Sequence, residues 1–174
     1  MDQAPVATPA AGVWTTPLER EFSAQFPPLL NYVVRLVDDL EAAPTIACEA
    51  FRQGLQRTSD LTQPGARAEI LRQATELSRQ WLRPRRWFRR RPQAGLALSG
   101  FPEPDARRLL RRDTVQRALS AMSFDGRAAL LLREYLRLSY DELGEVLAIP
   151  PRKLVHVLDR SRAEFAEIYD YIKF

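Results

Sequence analysis

Residues 123–165, SFDGRAALLLREYLRLSYDELGEVLAIPPRKLVHVLDRSRAEF, decide the fold of this chain. Their apolar side chains recur in three blocks, each with the 3.6-residue period of an amphipathic helix. The blocks are Ala128, Leu131, Leu132 and Tyr135, then Tyr140, Leu143, Val146 and Leu147, then Leu154, Leu158 and Phe165. Because the gaps between the blocks are short, we predict three amphipathic helices that pack on one another.

The boundary residues of these blocks indicate a tight turn between the last two helices. Ser139 and Glu142 have the spacing of a capping box at a helix N-terminus. Pro150 cannot continue the second helix, and Pro151 suits the first position of the third. Ile149 is expected to fill the corner. The pattern is that of a helix-turn-helix, whose second helix can enter the DNA major groove, and spacing alone equally fits a plain helical bundle.

The order of the residues is more specific than their spacing. The run 130–134 reads Leu-Leu-Leu-Arg-Glu, the run 138–143 reads Leu-Ser-Tyr-Asp-Glu-Leu, and Ile149 follows. In this register the stretch resembles the C-terminal DNA-binding domain of extracytoplasmic-function sigma factors of bacterial RNA polymerase. The resemblance implies an all-α fold of two small helical domains. It places a sigma domain 2-like unit at 18–91, a basic linker at 92–112 and a sigma domain 4-like unit at 113–174.

Composition and cysteine usage narrow the class of protein. The chain has 174 residues, of which 45% are hydrophobic and 28% charged, enough for one domain or two small ones. A single cysteine, Cys48, excludes an internal disulfide, and one cysteine with one histidine gives no structural zinc site. We find no signal peptide, no membrane-length apolar run, no paired carboxylates with a base and no nucleotide loop. We therefore expect a cytoplasmic protein that is not an enzyme, needs no cofactor and has no membrane partner.

Positive charge is concentrated in the middle of the chain. Residues 67–112 contain 13 arginines and 4 acidic residues, whereas residues 1–66 and 113–174 are net negative. Clustered arginine is the electrostatic footprint of phosphate binding, although a solvated face or a contact with an anionic surface would look the same. Six of these arginines surround Trp87 and Phe88 in the run 83–91, where they could bind a melted DNA strand or form a loop with a buried aromatic pair.

The N-terminal half is predicted to be helical as well. After an Ala-, Pro- and Thr-rich leader, 1–17, which we expect to be disordered, the apolar pattern predicts a short helix over 18–26 that Pro27 and Pro28 end. Further helices are predicted over 29–40, from an N-cap at Thr45 to about Gln56, over 66–82, and over 114–122 after a cap at Asp113.

The sigma-factor resemblance is fainter in this half, and it implies contacts with core RNA polymerase and promoter DNA. The stretch 42–51 aligns with a polymerase-docking segment but has lost most of its acidic residues. The implied polymerase contacts are Glu49, Phe51 and Arg52. The helix 69–86 aligns with the helix that recognises the −10 promoter element, although Glu76 would repel DNA. The implied −10 contacts are Arg79, Gln80, Trp81, Arg83, Arg85, Arg86 and Trp87.

The segment that begins at Pro151 aligns with the family's −35 recognition helix. If Leu154, Leu158, Ser161 and Phe165 face the core, the polar positions between them face outward. The implied −35 contacts are Arg152, Lys153, His156, Arg160 and Arg162. Val155 and Val157 depart from the polar residues usual there, and Asp159 is unfavourable beside phosphate. Ala148 replaces the glycine common at the turn, at a cost of about 1 kcal/mol for a left-handed alanine, so a locally different turn is expected.

These observations support two hypotheses. The first is a sigma factor with core polymerase and promoter DNA as partners and an anti-sigma factor as a further candidate. The second is a sigma mimic or adaptor, which retains the sigma shape and binds an anti-sigma factor or another transcription protein without recognising promoters. The lost acidic segment, Glu76, Val155 and Val157 favour the second hypothesis.

Overall fold

The computed structural model describes residues 17–58, 61–63, 65–83 and 113–173. Within these ranges all regular structure is helical, which confirms the all-α prediction. The elements are α1 (Pro17–Val37), α2 (Ala43–Thr58), α3 (Ala66–Leu82), α4 (113–121), α5 (Phe124–Leu130) with a following π-helical turn (Leu131–Tyr135), α6 (Tyr140–Leu147) and α7 (Pro151–Lys173). The leader 1–16, the arginine-rich run from residue 84 and the linker 92–112 lie outside the described residues.

Helix α1 is continuous where two helices were predicted. Pro27 and Pro28 lie inside it, although each removes a backbone hydrogen bond. Burial on both sides of the prolines outweighs that loss. Before them, Phe22 stacks on Phe26 with ring centroids 4.7 Å apart and meets Phe51 of α2 edge-on at 4.9 Å. After them, the buried residues are Leu29, Tyr32, Val33, Leu36 and Val37.

The end of α1 and the start of α2 also differ from prediction. Helix α1 ends at Val37, because Asp38 adopts a left-handed φ of 56°. Leu40, the last residue of the predicted helix 29–40, lies beyond that end and is 73% exposed. Helix α2 begins two residues before the predicted cap, Thr45. The carboxylate of Asp39 accepts hydrogen bonds from the backbone N–H groups of residues 41 and 42, in the turn that leads into α2. Pro44 lies in the first turn, where no N–H is needed.

Helix α3 has the predicted bounds and is the central helix of the fold. It packs against α1 and α2 on one side and against α6 on the other. Its approach to α2 requires a glycine, because a Cβ at Gly54 would lie 2.4 Å from the Cγ1 atom of Ile70. One hydrophobic core therefore extends from the N-terminal half (α1–α3) into the C-terminal half (α4–α7), where it positions α6 and α7. Its largest fully buried hydrophobic side chains are Tyr32, Val33, Leu36, Leu132, Leu138, Leu143, Leu154 and Leu158.

The π-helical turn after α5 changes which residues face the core in the first apolar block, which ends at Tyr135. The N–H of Leu136 donates to the carbonyl of Leu131, five residues back, and the N–H of Leu138 donates to that of Leu132. The extra residue turns Tyr135 outward, where it is 41% exposed, and Leu136 takes the buried position. The prediction that Tyr135 faces the core is therefore wrong.

The predicted capping box and turn are present at α6. The Ser139 hydroxyl accepts the N–H of Glu142 at 3.2 Å, and the Glu142 carboxylate accepts the N–H of Ser139 at 2.7 Å. The backbone and side-chain hydrogen bonds from Ser139 lower the pKa of Glu142. Tyr140 belongs to the second apolar block and was predicted to face the core, but it is 38% exposed. The Cζ atom of Arg133 lies 4.7 Å from the centre of its ring. Ile149 is half-buried at the corner.

Replacement of Ala148 by glycine is expected to stabilise the protein by about 0.5–1 kcal/mol, because Ala148 adopts a left-handed backbone with φ 53° and ψ 40°. The turn therefore has the left-handed conformation that a glycine usually adopts at this position. The locally different turn that was expected is not formed, and Ala148 carries the strain of the left-handed conformation. Thermal unfolding should show a rise of about 2 °C in the midpoint. The control, Ala163→Gly on the exposed face of α7, should lower the midpoint by a similar amount. Equal losses in both variants would contradict the strain.

Candidate nucleic-acid interface

The N-terminal half of α7 is anchored on one face and exposed on the other. Leu154, Leu158 and Ser161 are buried, as predicted, and the Ser161 hydroxyl donates to the Val157 carbonyl at 2.6 Å. Phe165 is partly buried against the core. The face between these residues points away from the bundle. Its exposed residues are Arg152, Lys153, Val155, His156, Asp159, Arg160 and Arg162.

Four of the predicted −35 contacts on this face have no internal partner. Among the described residues, no hydrogen bond or ion pair engages the side chains of Arg152, Lys153, His156 and Arg160. Arginine and lysine that no carboxylate neutralises are free to displace the counterions of an external phosphate backbone. These four residues form the tip of α7, the N-terminal end of that helix. The tip is therefore positively charged and faces solvent.

Arg162, the fifth predicted contact, is engaged within the protein. Its Nη2 atom lies 2.6 Å from Oε1 of Glu134 in the π-helical turn, and its Nη1 atom lies 3.2 Å from Oδ1 of Asp159. These contacts lower the pKa of Glu134 and raise the pKa of Arg162. Arg162 therefore holds α7 against the π-helical turn and partly neutralises Asp159, the carboxylate that was expected to disfavour phosphate.

The predicted −10 contacts lie at the C-terminal end of α3 as far as the structure describes them. Gln80 and Arg83 are exposed, and Trp81 is partly buried against the core. Gln80 donates to Glu76, whose other carboxylate oxygen lies 3.5 Å from Nε of Arg79. Glu76, the residue expected to repel DNA, is thus paired with two neighbours on its own helix. Arg85, Arg86 and Trp87 lie outside the described residues.

Arg79 differs from the other predicted −10 contacts because it reaches across to the C-terminal half. Its Nη1 atom lies 2.7 Å from Oδ1 of Asp125 in the first turn of α5. Its guanidinium also lies 4.5 Å from the centre of the Phe124 ring, a cation–π contact. The structure therefore brings this arginine together with α5.

The predicted polymerase contacts separate into a core residue and a surface pair. Phe51 is 4% exposed, with its ring 4.9 Å from Phe22 and 6.4 Å from Phe26, so it packs the core. Glu49 and Arg52 form an ion pair on the surface of α2. Hydrogen bonds from Arg52 lower the pKa of Glu49 to about 2, so the pair stays ionised at neutral pH.

Sequence reasoning missed the polar contacts that join the two halves. Arg127 is only 7% exposed, and it donates from Nη1 to the Leu36 carbonyl at 2.6 Å and from Nη2 to the Ser120 carbonyl at 3.0 Å. An arginine inside the small and apolar run 126–132, four residues before Leu131, is a signal that could have revealed it. We call the boundary between the halves the seam. Among the described residues, further polar contacts across the seam include Arg67 to the Leu136 carbonyl, Gln116 to the Arg35 carbonyl, Ser120 to Asp38 and Arg79 to Asp125.

Two further features are absent from the described part of the chain. No group of three or more His, Cys, Asp or Glu side chains is placed there to hold a metal ion. No described helix combines the length and the apolar character that crossing a bilayer requires.

Comparison with known proteins identifies the fold. No protein-family model and no curated protein matches the sequence. Among solved structures, the chain is similar to the sigma factor RpoE in complex with the anti-sigma factor NepR from Bartonella quintana, with a TM-score of 0.68 at 15% identity. The match covers 88% of this chain and 96% of that one, so it includes both halves. The chain therefore has the fold of a sigma factor, which confirms at the level of structure the resemblance seen in residues 123–165.

Proposed function

We propose that this protein is an extracytoplasmic-function-type sigma factor, which directs core RNA polymerase to promoters during transcription initiation. In this role the tip of α7 binds the −35 element, and the C-terminal end of α3 with the arginines that follow it binds the −10 element. The observation that carries the proposal is the set of exposed, unpaired basic side chains on α7, presented by a helix-turn-helix in a sigma-factor fold.

Each exposed residue of α7 has a specific task in the proposed complex. Arg152, Lys153 and Arg160 bind phosphates or the O6 and N7 atoms of guanine, and His156 donates a hydrogen bond to either kind of acceptor. Val155, which is 49% exposed, is suited to the methyl group of thymine. The chain itself performs no chemical step, because a sigma factor positions polymerase and DNA.

A sigma mimic remains a second candidate function, and the seam is the observation that favours it. Arg79, one of the proposed −10 contacts, is paired with Asp125, and α3 is packed against α6. The similar RpoE chain was solved with an anti-sigma factor, so an anti-sigma factor is the partner that this second function would involve.

Transcription initiation with purified components separates the two functions. Core polymerase, the purified chain and a library of random duplexes are incubated, and the DNA in heparin-resistant complexes is sequenced. We expect enrichment of two short elements at a fixed spacing, and binding that weakens steeply as salt is raised. Retention of the chain by an anti-sigma factor, with no retention by polymerase and no enriched sequence, would establish the mimic instead.

A further inference from the structure

The outward face of α7 carries one continuous stripe of exposed side chains along the length of the helix. The members of the stripe follow one another at spacings of three or four residues, which keeps them on one side of an α-helix for about five turns. They lie opposite the buried residues Leu154, Leu158 and Ser161. The stripe consists of Arg152, His156, Arg160, Ala163, Glu167 and Asp170, all of them exposed.

The stripe changes the sign of its charge halfway along the helix. Its N-terminal half belongs to the tip, whereas its C-terminal half contains Glu167 and Asp170; with the neighbouring Tyr171 we call these two residues the tail of α7. Within the described part of the chain, no hydrogen bond or ion pair engages the side chain of Glu167 or Asp170. Glu164 lies off the stripe and is engaged, because it accepts hydrogen bonds from the backbone N–H and the hydroxyl of Ser123. Unpaired cations and unpaired anions therefore lie on the same face of α7, at opposite ends.

A helix with this order of charges is complementary to a second copy of itself in the antiparallel direction. We consider two copies of α7 that are related by a two-fold axis between residues 161 and 162. In that arrangement Lys153 faces Asp170 of the second copy, and His156 faces Glu167 of the second copy. Two-fold symmetry repeats both contacts, so that each tip meets a tail. A partner other than this chain would have to supply the same order of charges in reverse.

The uncharged positions of the outward face fit the same arrangement. Tyr171 is 87% exposed, and it faces Arg152 of the second copy, which places an aromatic ring against a guanidinium. Ala163 lies beside the two-fold axis and faces Arg160 of the second copy. Because alanine is small, it allows the two helix axes to approach each other near the axis of symmetry.

We propose that a second copy of this chain docks antiparallel on the outward face of α7, so that the tip of each copy binds the tail of the other. The interface is narrow and mostly charged, which makes the dimer weak, with a Kd on the order of 100 µM, and sensitive to salt. Dimerisation itself does not rest on the proposed function, because it uses only the charge pattern of α7. The tip is also the proposed −35 surface, so one copy cannot bind a promoter and a second copy through it at once.

Sedimentation equilibrium of the full chain at low salt tests the dimer. We expect the average mass to rise from that of a monomer toward that of a dimer as the concentration passes about 100 µM. It should return to that of a monomer in about 0.5 M NaCl, where the Debye length is only about 4 Å. A chain that stays monomeric at low salt leaves the face to another partner and overturns the proposal, and so does a dimer that salt leaves unchanged.

Exchanging the charges of the tip and the tail identifies the surface. The tip variant is Arg152→Glu/Lys153→Glu, and the tail variant is Glu167→Lys/Asp170→Lys. Each variant alone places like charges opposite one another and should dimerise at least tenfold more weakly than the native chain. Mixed in equal amounts, the two variants should form a heterodimer about as tightly as the native dimer, because opposite charges then meet at both ends. A mixture that stays monomeric would overturn the proposal.

The chain offers a label and a matched control for this mixture. Its single cysteine, Cys48, is exposed on α2 and can carry a fluorophore, so that one variant is followed in the presence of the other. The control Arg20→Glu/Arg117→Glu changes the net charge as the tip variant does, but on α1 and α4. It should dimerise within about threefold of the native chain, and it should bind the tail variant about tenfold more weakly than the tip variant does. Equal binding of the tail variant by the control and by the tip variant would show that net charge alone drives association.

Discussion

Replacing Arg127 by methionine is expected to lower the free energy of unfolding by about 3 kcal/mol. Methionine can fill much of the space of the arginine side chain, but it donates no hydrogen bond. The carbonyls of Leu36, Ser120 and Met122 would each lose a guanidinium donor, with donor–acceptor distances of 2.6, 3.0 and 3.5 Å in the native protein. Buried acceptors without a donor cost about 1–3 kcal/mol each, and partial access of water brings the sum toward the lower end.

Urea unfolding followed by circular dichroism measures this change. The control is Arg117→Met on α4, which removes the same charge from an exposed side chain and should stay within about 0.5 kcal/mol of the native protein. If Arg127→Met lowered the free energy of unfolding no more than Arg117→Met does, the guanidinium would not be what joins Leu36 to the C-terminal half. A change in the slope of the urea dependence would instead indicate that the two halves no longer unfold together.

Reversing two charges at the tip of α7, Lys153→Glu with Arg160→Glu, is expected to weaken binding of holoenzyme to its promoter about 100-fold. Both side chains are exposed and unpaired, so the change removes two cations and places two anions beside DNA. The stability of the chain should change little, because neither side chain makes an internal contact. The dependence of binding on salt should also become shallower, by about one unit of slope for each lost phosphate contact.

Electrophoretic mobility shift with the selected promoter measures this loss. The matched control, Arg20→Glu with Arg117→Glu, makes the same change in net charge at exposed positions of α1 and α4. It should bind within about threefold of the native chain, because long-range screening leaves only a weak general effect. Equal losses in the two double variants would mean that net charge, not the surface of α7, determines binding.

The helix boundaries that local chemistry specifies could be predicted from the sequence. The capping box of Ser139 and Glu142, the proline pair 150–151 and the bounds of α3 are all present as expected. Their signals are encoded within a few residues, in hydrogen-bonding side chains and in the geometry of proline. Where distant packing competes with a local signal, prediction was wrong. Pro27 and Pro28 remain inside α1 because the aromatic contacts before them and the buried turns after them outweigh two lost hydrogen bonds.

In the candidate site, too, features set by local sequence were predicted and features set by distant contacts were not. The outward position of Arg152, Lys153, His156 and Arg160 follows from the period of the buried residues, and it was predicted. The pairing of Arg162 with Glu134 was not, because a π-helical turn brings together residues 28 positions apart. The aligned position of Arg79 suggested a DNA contact but could not reveal Asp125, which belongs to another part of the chain.

By itself, the sequence determined that the protein is helical, where α6 and α7 begin, where the chain turns between them, and which face of α7 points outward. Those features depend on the 3.6-residue period, on caps and on prolines, all of which act over a few residues. Only the tertiary structure decided that α3 packs against α6, that Arg127 is buried across the seam and that Arg79 is paired with Asp125. These contacts join residues that are far apart in the chain, and their energies depend on burial and distance, which no local pattern contains.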